Sequence, residues 1–161
     1  MKMVLKMNCS IKSVQVKFVV LSLAICASIL VTRASNRPIG VFDSGTGGLT
    51  VLEKLLCIDE FNNITGERIP DSKPDLEGED FVYFGDQANM PYGLYGAKGK
   101  SDFLRELIVR DTEFVLSSQS HLPSKIVVIA CNTATAYGLD DARRTAKPKG
   151  VKVIGVVNAG V

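Results

Sequence analysis

From residue 38 onward, short unbroken apolar runs alternate with longer stretches in which apolar residues recur every three or four positions. "PIGVF" (38–42) precedes "GGLTVLEKLL", "DFVYFG" (80–85) precedes "SDFLRELIVRDTEFVL", "KIVVIA" (125–130) precedes "TATAYGLDDARRTA", and "VKVIGVV" (151–157) follows. Runs this rich in Val and Ile, without polar alternation, predict strands covered on both faces. The longer stretches predict helices. In the second of them Phe103, Leu104, Leu107, Ile108, Phe114 and Val115 fall on one stripe while Arg105, Glu106 and Arg110 point elsewhere, with Ser101 as the expected N-cap. Repeated strand–helix alternation implies right-handed crossovers, and therefore an α/β, doubly wound, mainly parallel sheet.

Two segments break the alternation. Residues 59–80, "DEFNNITGERIPDSKPDLEGED", are acidic and interrupted by Gly66, Pro70, Pro74 and Gly78, and predict a long surface loop. Its "NIT" at Asn63 fits a glycosylation acceptor, which has meaning only in a eukaryotic secretory route. Residues 1–34 read as a signal peptide: Lys2, Lys6, Lys12 and Lys17 precede the apolar run "FVVLSLAICASILV" and the small-residue ending "TRA". That run is shorter than the roughly 20 residues of a membrane span, and an uncleaved membrane anchor is the alternative reading. The expectation is export to the periplasm, leaving residues 35–161 as one domain. Loss of five basic residues with the leader shifts the net charge from +2 to about −3, which gives no support to a nucleic-acid-binding surface.

Cys9 and Cys26 belong to the leader, so Cys57 and Cys131 are the thiols of the domain. Cys57 ends the first helix and Cys131 the third strand of the alternation, which places them at opposite edges of the sheet. A helix of about 11 residues is roughly 16 Å long, whereas a disulfide needs Cα atoms within about 7 Å, so two free thiols are expected.

In a sheet of this kind, ligands bind outside the carboxyl ends of the strands, and the chemically active residues collect there. The strand exits carry "DSGTGG" (43–48), "GDQANMPYG" (85–93), "CNTATA" (131–136) and "NAG" (158–160). "DSGTGG" allows two readings: a tight turn capped by Asp43, or a rim on which Asp43 and Ser44 face a polar ligand. It does not fit the dinucleotide fingerprint, because Thr50 stands where the third glycine belongs. "GLYGAKGKS" (93–101) misses the phosphate-binding loop by one residue of spacing and reads as a flexible loop with Lys98 and Lys100 in solvent. Cys131 is either a small buried hydrophobe or a reactive thiol. Its place between a strand end and a helix N-terminus, beside Asn132, Thr133 and Thr135, sets the reactive reading level with the buried one, and both stay open on spacing alone. His121, the only histidine, lies in a polar connection, so neither a zinc cluster nor a Cys–His pair is expected.

Taken in order, "PIGVFDSGTGGLTVL", "FVYFGDQANMPYG", "IVVIACNTATA" and "VKVIGVV" closely resemble the N-terminal lobe of bacterial glutamate racemase, of the aspartate/glutamate racemase superfamily, over about residues 37–161. The resemblance implies a flavodoxin-like lobe and cofactor-independent interconversion of L- and D-glutamate, with D-glutamate supplied for peptidoglycan. It implies two cysteines on opposite faces of the substrate Cα, one acting as base and the other as acid. Carried over residue by residue, it makes Cys131 the catalytic cysteine of this lobe and places Asp43, also a candidate proton-handling group, and Ser44 beside the substrate. Tyr92 and Gly93 match the loop after the second strand, and Asn132 and Thr133 the residues that hold the amino acid's polar groups. The family's second cysteine, followed by Thr-His, has no counterpart among these 161 residues, and Cys57 lies at the wrong edge to replace it. The leader and the long acidic loop also depart from the family pattern.

The expectation is thus the first lobe of an exported glutamate racemase, poorly active alone and completed by a second lobe or a homo-oligomer, with no cofactor and no metal. Two alternatives stay open: a non-catalytic periplasmic amino-acid-binding module using the same rim, and a racemase acting on aspartate.

Overall fold

The computed structural model describes residues 3–8, 37–117 and 122–157. Four parallel strands and four helices form the expected alternation: β2 (Ile39–Asp43), α1 (Leu49–Cys57), β3 (Asp80–Gly85), the short α2 (Gly93–Ala97), α3 (Ser101–Leu116), β4 (Ile126–Ile129), α4 (Asn132–Ala146) and β5 (Lys152–Gly155). Ahead of them, β1 (Met3–Asn8) runs antiparallel along the outer edge of β3. The sheet order is β1-β3-β2-β4-β5. Met3–Asn8 lies within the segment read as a leader; the remainder of that segment, His121 and the "NAG" strand exit lie outside the described residues.

Alternate residues of each strand feed two cores, as the two-residue period of a strand requires. Ile39, Val41, Phe81, Tyr83 and Val128 point to the face covered by α1 and pack on Leu52. Phe42, Phe84, Val127 and Ile129 point the other way, where Leu104, Leu107, Ile108 and Val115 of α3 and Leu139 and Ala142 of α4 complete a larger cluster. Because the chain leaves β2 in one direction to form β3 and then crosses back over β2 to form β4, α1 falls on one face and α3 and α4 on the other. The carboxyl ends of β2 and β4 therefore flank the point where strand order reverses, the place where open α/β sheets form a crevice.

The helix stripe differs from the expected one in two places. Phe103 is half-exposed, since it sits one position off the buried row and stacks on Tyr95 at the surface, with ring centroids 5.7 Å apart. Asp111 and Thr112 instead lie inside, fully buried. Ser101 is the first residue of α3 and not its cap; Lys100 holds that position with no side-chain hydrogen bond.

The acidic segment between α1 and β3 is a surface loop, as expected, but carboxylates organise it. Asp59 accepts the N–H groups of Asp71 and Ser72, Asp71 that of Asn63, and Asp75 those of Glu60 and Phe61. Backbone groups that lack strand or helix partners are satisfied in this way. The stretch at 93–101, expected to be an irregular loop, opens with the single turn of α2 before Lys98 and Lys100, both exposed.

Candidate active site

The site is built at the carboxyl ends of β2 and β4. Asp43 is the last residue of β2, and Cys131 lies two residues beyond the end of β4, directly ahead of α4. In register, Phe42 pairs with Ile129, and the ladder extends one step further as the Ala130 N–H donates to the Phe42 carbonyl at 2.7 Å. Ser44 and Cys131 thus leave adjacent strands side by side. The Cys131 thiol donates to Ser44 Oγ at 3.4 Å.

Cys131 also caps α4. Its backbone is extended (φ −85°, ψ 120°), and its Sγ accepts the Ala134 N–H at 3.4 Å. A sulfur in this position faces the positive end of the helix dipole, which favours an anion there. The residue is 6% exposed, and that remaining surface opens on a cavity of about 330 Å³ lined by Asp43, Gly47, Thr50, Val51, Ala130, Cys131, Asn132, Thr133 and Val156. The volume suits a small polar molecule.

Asp43 is held rigidly. Its Oδ2 accepts the Gly48 N–H at 2.8 Å, so the tight-turn reading of "DSGTGG" is realised, and the same carboxylate lines the cavity. Gly48 is required by space: a Cβ there would lie 2.7 Å from Asp43 Cβ and 2.8 Å from Ala130 Cβ. Beneath Asp43, the Tyr83 hydroxyl donates to the Gly45 carbonyl at 2.8 Å and lies 3.4 Å from Asp43 Oδ2. Burial, followed by the neighbouring Asp43 and Cys131, pushes the Tyr83 phenol well above its ordinary range.

Among the residues singled out in the sequence, Asp43, Cys131, Asn132 and Thr133 line the cavity, and Ser44 touches it through the thiol. Gly93 stands beside Thr133, with its missing Cβ about 4.0 Å from Thr133 Oγ1. The Tyr92 side chain does not reach the cavity. It is 1% exposed and turned into the core, where its hydroxyl lies 2.9 Å from Asp86 Oδ2 and 2.6 Å from Asp111 Oδ2. Tyr92 was singled out as part of the loop after β3, and the structure places its side chain in the core and not in the cavity lining. Cys57 is an exposed free thiol at the far end of α1 from Asp43. Thr50, Val51 and Val156 line the cavity without having been singled out, since ordinary helix and strand residues carry no chemical mark in a sequence.

No family model matches the chain. Curated proteins do. A glutamate racemase of Chlorobaculum tepidum is 36% identical over 127 residues, covering 79% of this chain and 37% of the relative. That of Clostridium novyi is 37% identical over 122 residues, covering 76% and 37%. The chain is a homologue of the glutamate racemases. It spans a little over a third of the length of these relatives. Solved glutamate racemases share the fold: that of Francisella tularensis in complex with D-glutamate superposes with a TM-score of 0.57 at 34% identity, over 78% of this chain and 37% of the other. The Thermus thermophilus glutamate racemase in complex with β-chloro-D-alanine gives 0.51 at 36% identity, over 76% and 37%. The α/β sheet of four parallel strands is thus the one glutamate racemases use, and its crevice holds the thiol and carboxylate described above.

Proposed function

We propose that residues 37–157 form one half of a cofactor-independent amino-acid racemase site acting on glutamate. The observation that carries this is the Cys131 sulfur, capping α4 and opening on a cavity it shares with the buried carboxylate of Asp43. The homology to isomerases of this specificity, one of them solved with D-glutamate, supports the choice of substrate.

In this reading the substrate carboxylate lies at the start of α4, where the first amides, at Asn132 and Thr133, have no partners within the helix. The side-chain groups of Ser44 and Thr133 and the backbone around Gly93 complete the polar rim. Cys131 as thiolate takes the Cα proton and becomes a thiol; the electron pair left on carbon is delocalised into the adjacent carboxylate. Returning that proton to the same face regenerates the starting enantiomer, and inversion requires an acid on the opposite face. The described residues bring one thiol to the rim, so the second proton donor comes from outside them, by a further lobe or a second chain. Asp43, fixed by Gly48, orients the thiol and receives its proton. Supply of D-glutamate for peptidoglycan is the role this activity would serve.

The test is hydrogen exchange in heavy water. The purified chain should introduce deuterium at Cα of one glutamate enantiomer with little inversion, Cys131→Ser should abolish the exchange, and Asp43→Asn should slow it about a hundredfold with little loss of binding. Equal inversion of both enantiomers by this chain alone would refute the half-site. Unchanged glutamate affinity with no exchange in the parent would leave a binding module, and faster exchange of aspartate would reassign the substrate.

We further propose export, on the strength of the basic-then-apolar leader. Cleavage near Ala34 would remove β1 and leave β3 as an open edge. Cell fractionation with N-terminal sequencing decides this: a cytoplasmic chain starting at Met1 overturns it.

A further inference from the structure

The acidic loop of residues 59–80 is ordered, yet it turns large apolar side chains to solvent. It carries eight acidic residues against two basic ones. Asp59, Asp71 and Asp75 hold its shape by accepting backbone N–H groups. Glu67 and Glu77 are exposed, and their side chains have no hydrogen-bond or ion-pair partner among the described residues. Ile64 is 86% exposed, Ile69 58% and Phe61 46%. Apolar groups held out by a fixed backbone and ringed by carboxylates mark a contact surface, and its charge calls for a cationic partner.

A cationic surface lies at the same end of the molecule. Residues 143–152 include five basic residues and no acidic one. Arg143, Lys147 and Lys152 line a groove of about 510 Å³ together with Gly150, Val151 and Val153. Arg143 is fixed there by donating to the Val153 carbonyl at 3.4 Å. Lys147 and Lys152 are exposed and form no ion pair among the described residues. Ile154, 38% exposed, lies on the same side of β5 as Lys152, so this surface too joins positive charge to apolar area.

Topology makes the two surfaces self-complementary. The loop between α1 and β3, and the 3₁₀ turn Lys147–Lys149 between α4 and β5, both lie at the amino ends of the parallel strands, opposite the crevice. In the order β3-β2-β4-β5 they stand three strand steps apart, about 14 Å at the usual spacing. A two-fold axis normal to the sheet, placed beyond the amino ends between β2 and β4, sets each copy's loop on the other's groove, and the assembly closes at two. We propose that the acidic loop docks into the basic groove of a second copy of this chain, forming a symmetric dimer through the amino ends of the two sheets. Both crevices then open outward at the far ends, so this contact neither depends on the glutamate site nor completes it.

Analytical ultracentrifugation of the 161-residue chain tests this, with every variant first shown folded by circular dichroism. The parent should be dimeric at about 0.1 M salt and shift toward monomer at about 1 M, because the screening length falls from about 10 Å to about 3 Å. Lys147→Glu combined with Lys152→Glu should weaken association about tenfold or more, as should Glu67→Lys combined with Glu77→Lys. Mixing these two variants, or placing all four changes in one chain, should restore it, since opposite signs again meet; a merely damaged surface would not recover. A monomeric parent overturns the proposal. So does association indifferent to salt and to all four changes, the result expected if the apolar leader joined the copies, and so does a loss that the fourfold exchange fails to reverse.

Discussion

Tyr83 shows how a residue outside the cavity fixes a turn that reaches into it. Its ring fills the α1 face of the sheet, and its hydroxyl, donating to the Gly45 carbonyl, pins the turn from which Ser44 reaches Cys131. Tyr83→Phe should cost about 1 kcal/mol at neutral pH, the usual worth of a buried hydrogen bond. The sign of its pH dependence follows from linkage. The folded phenol holds its proton more tightly than the unfolded one, so the stability it contributes is whole below the ordinary tyrosine pKa of about 10 and falls as pH rises above it. Urea unfolding from pH 8 to 11 should show the gap between parent and Tyr83→Phe narrowing above about pH 10; a gap that widens would contradict this.

Residue patterns reached the rim with uneven success. Asp43, Ser44, Cys131, Asn132 and Thr133 were legible because each is an unusual side chain at a strand exit. Tyr92 was legible only as part of its loop, since a sequence motif shows that a loop is special and not which of its side chains turn inward. Asp111 went unnoticed although its spacing held the signal: it continues the row of Leu104, Leu107 and Ile108 toward Val115, and a carboxylate on an apolar stripe needs a buried partner.

Among elements, the first turn of α1 is the most tightly constrained. Gly48 has ordinary helical torsions (φ −66°, ψ −9°), so alanine there would gain helix propensity, yet its Cβ would press on two Cβ atoms fixed to strand backbones. Crowding wins: Gly48→Ala should lose about 1–3 kcal/mol by denaturant midpoint, and unchanged stability would mean that the turn can move away. On the other side of the sheet, α3 and α4 are joined by Arg105, whose guanidinium donates to Asp141 through two hydrogen bonds, with Arg144 adding a third. Arg105 above all holds the Asp141 carboxyl below its ordinary value, so the stability this pair adds is present above about pH 4 and lost as pH falls further. Being exposed, it is small. Asp141→Asn should differ from the parent at pH 6 and converge with it near pH 3; a difference that grows in acid would reverse the assignment.

For the whole molecule, topology decides which thiol reaches the crevice. Cys57 and Cys131 occupy opposite ends of the strand–helix unit, one exposed and one buried at the crevice. A thiol reagent should label Cys57 at once and Cys131 far more slowly, and the peptides carrying Cys57 and Cys131 should be found unlinked to one another without reduction. Rapid labelling of both would mean that the crevice opens more widely than its 6% exposure at Cys131 implies.

The alternation of apolar runs and helical stripes was enough by itself to determine a doubly wound sheet, because strand and helix periods are local and each run must bury its apolar side. The same local chemistry marked Cys131 and Asp43 as candidates. Only the tertiary structure decided that they share one cavity, that the Tyr92 side chain turns into the core, and that Asp111 meets it there. Those outcomes depend on strand order, register and helix packing, which arise from contacts between residues far apart in the chain and leave no trace in any short stretch of it.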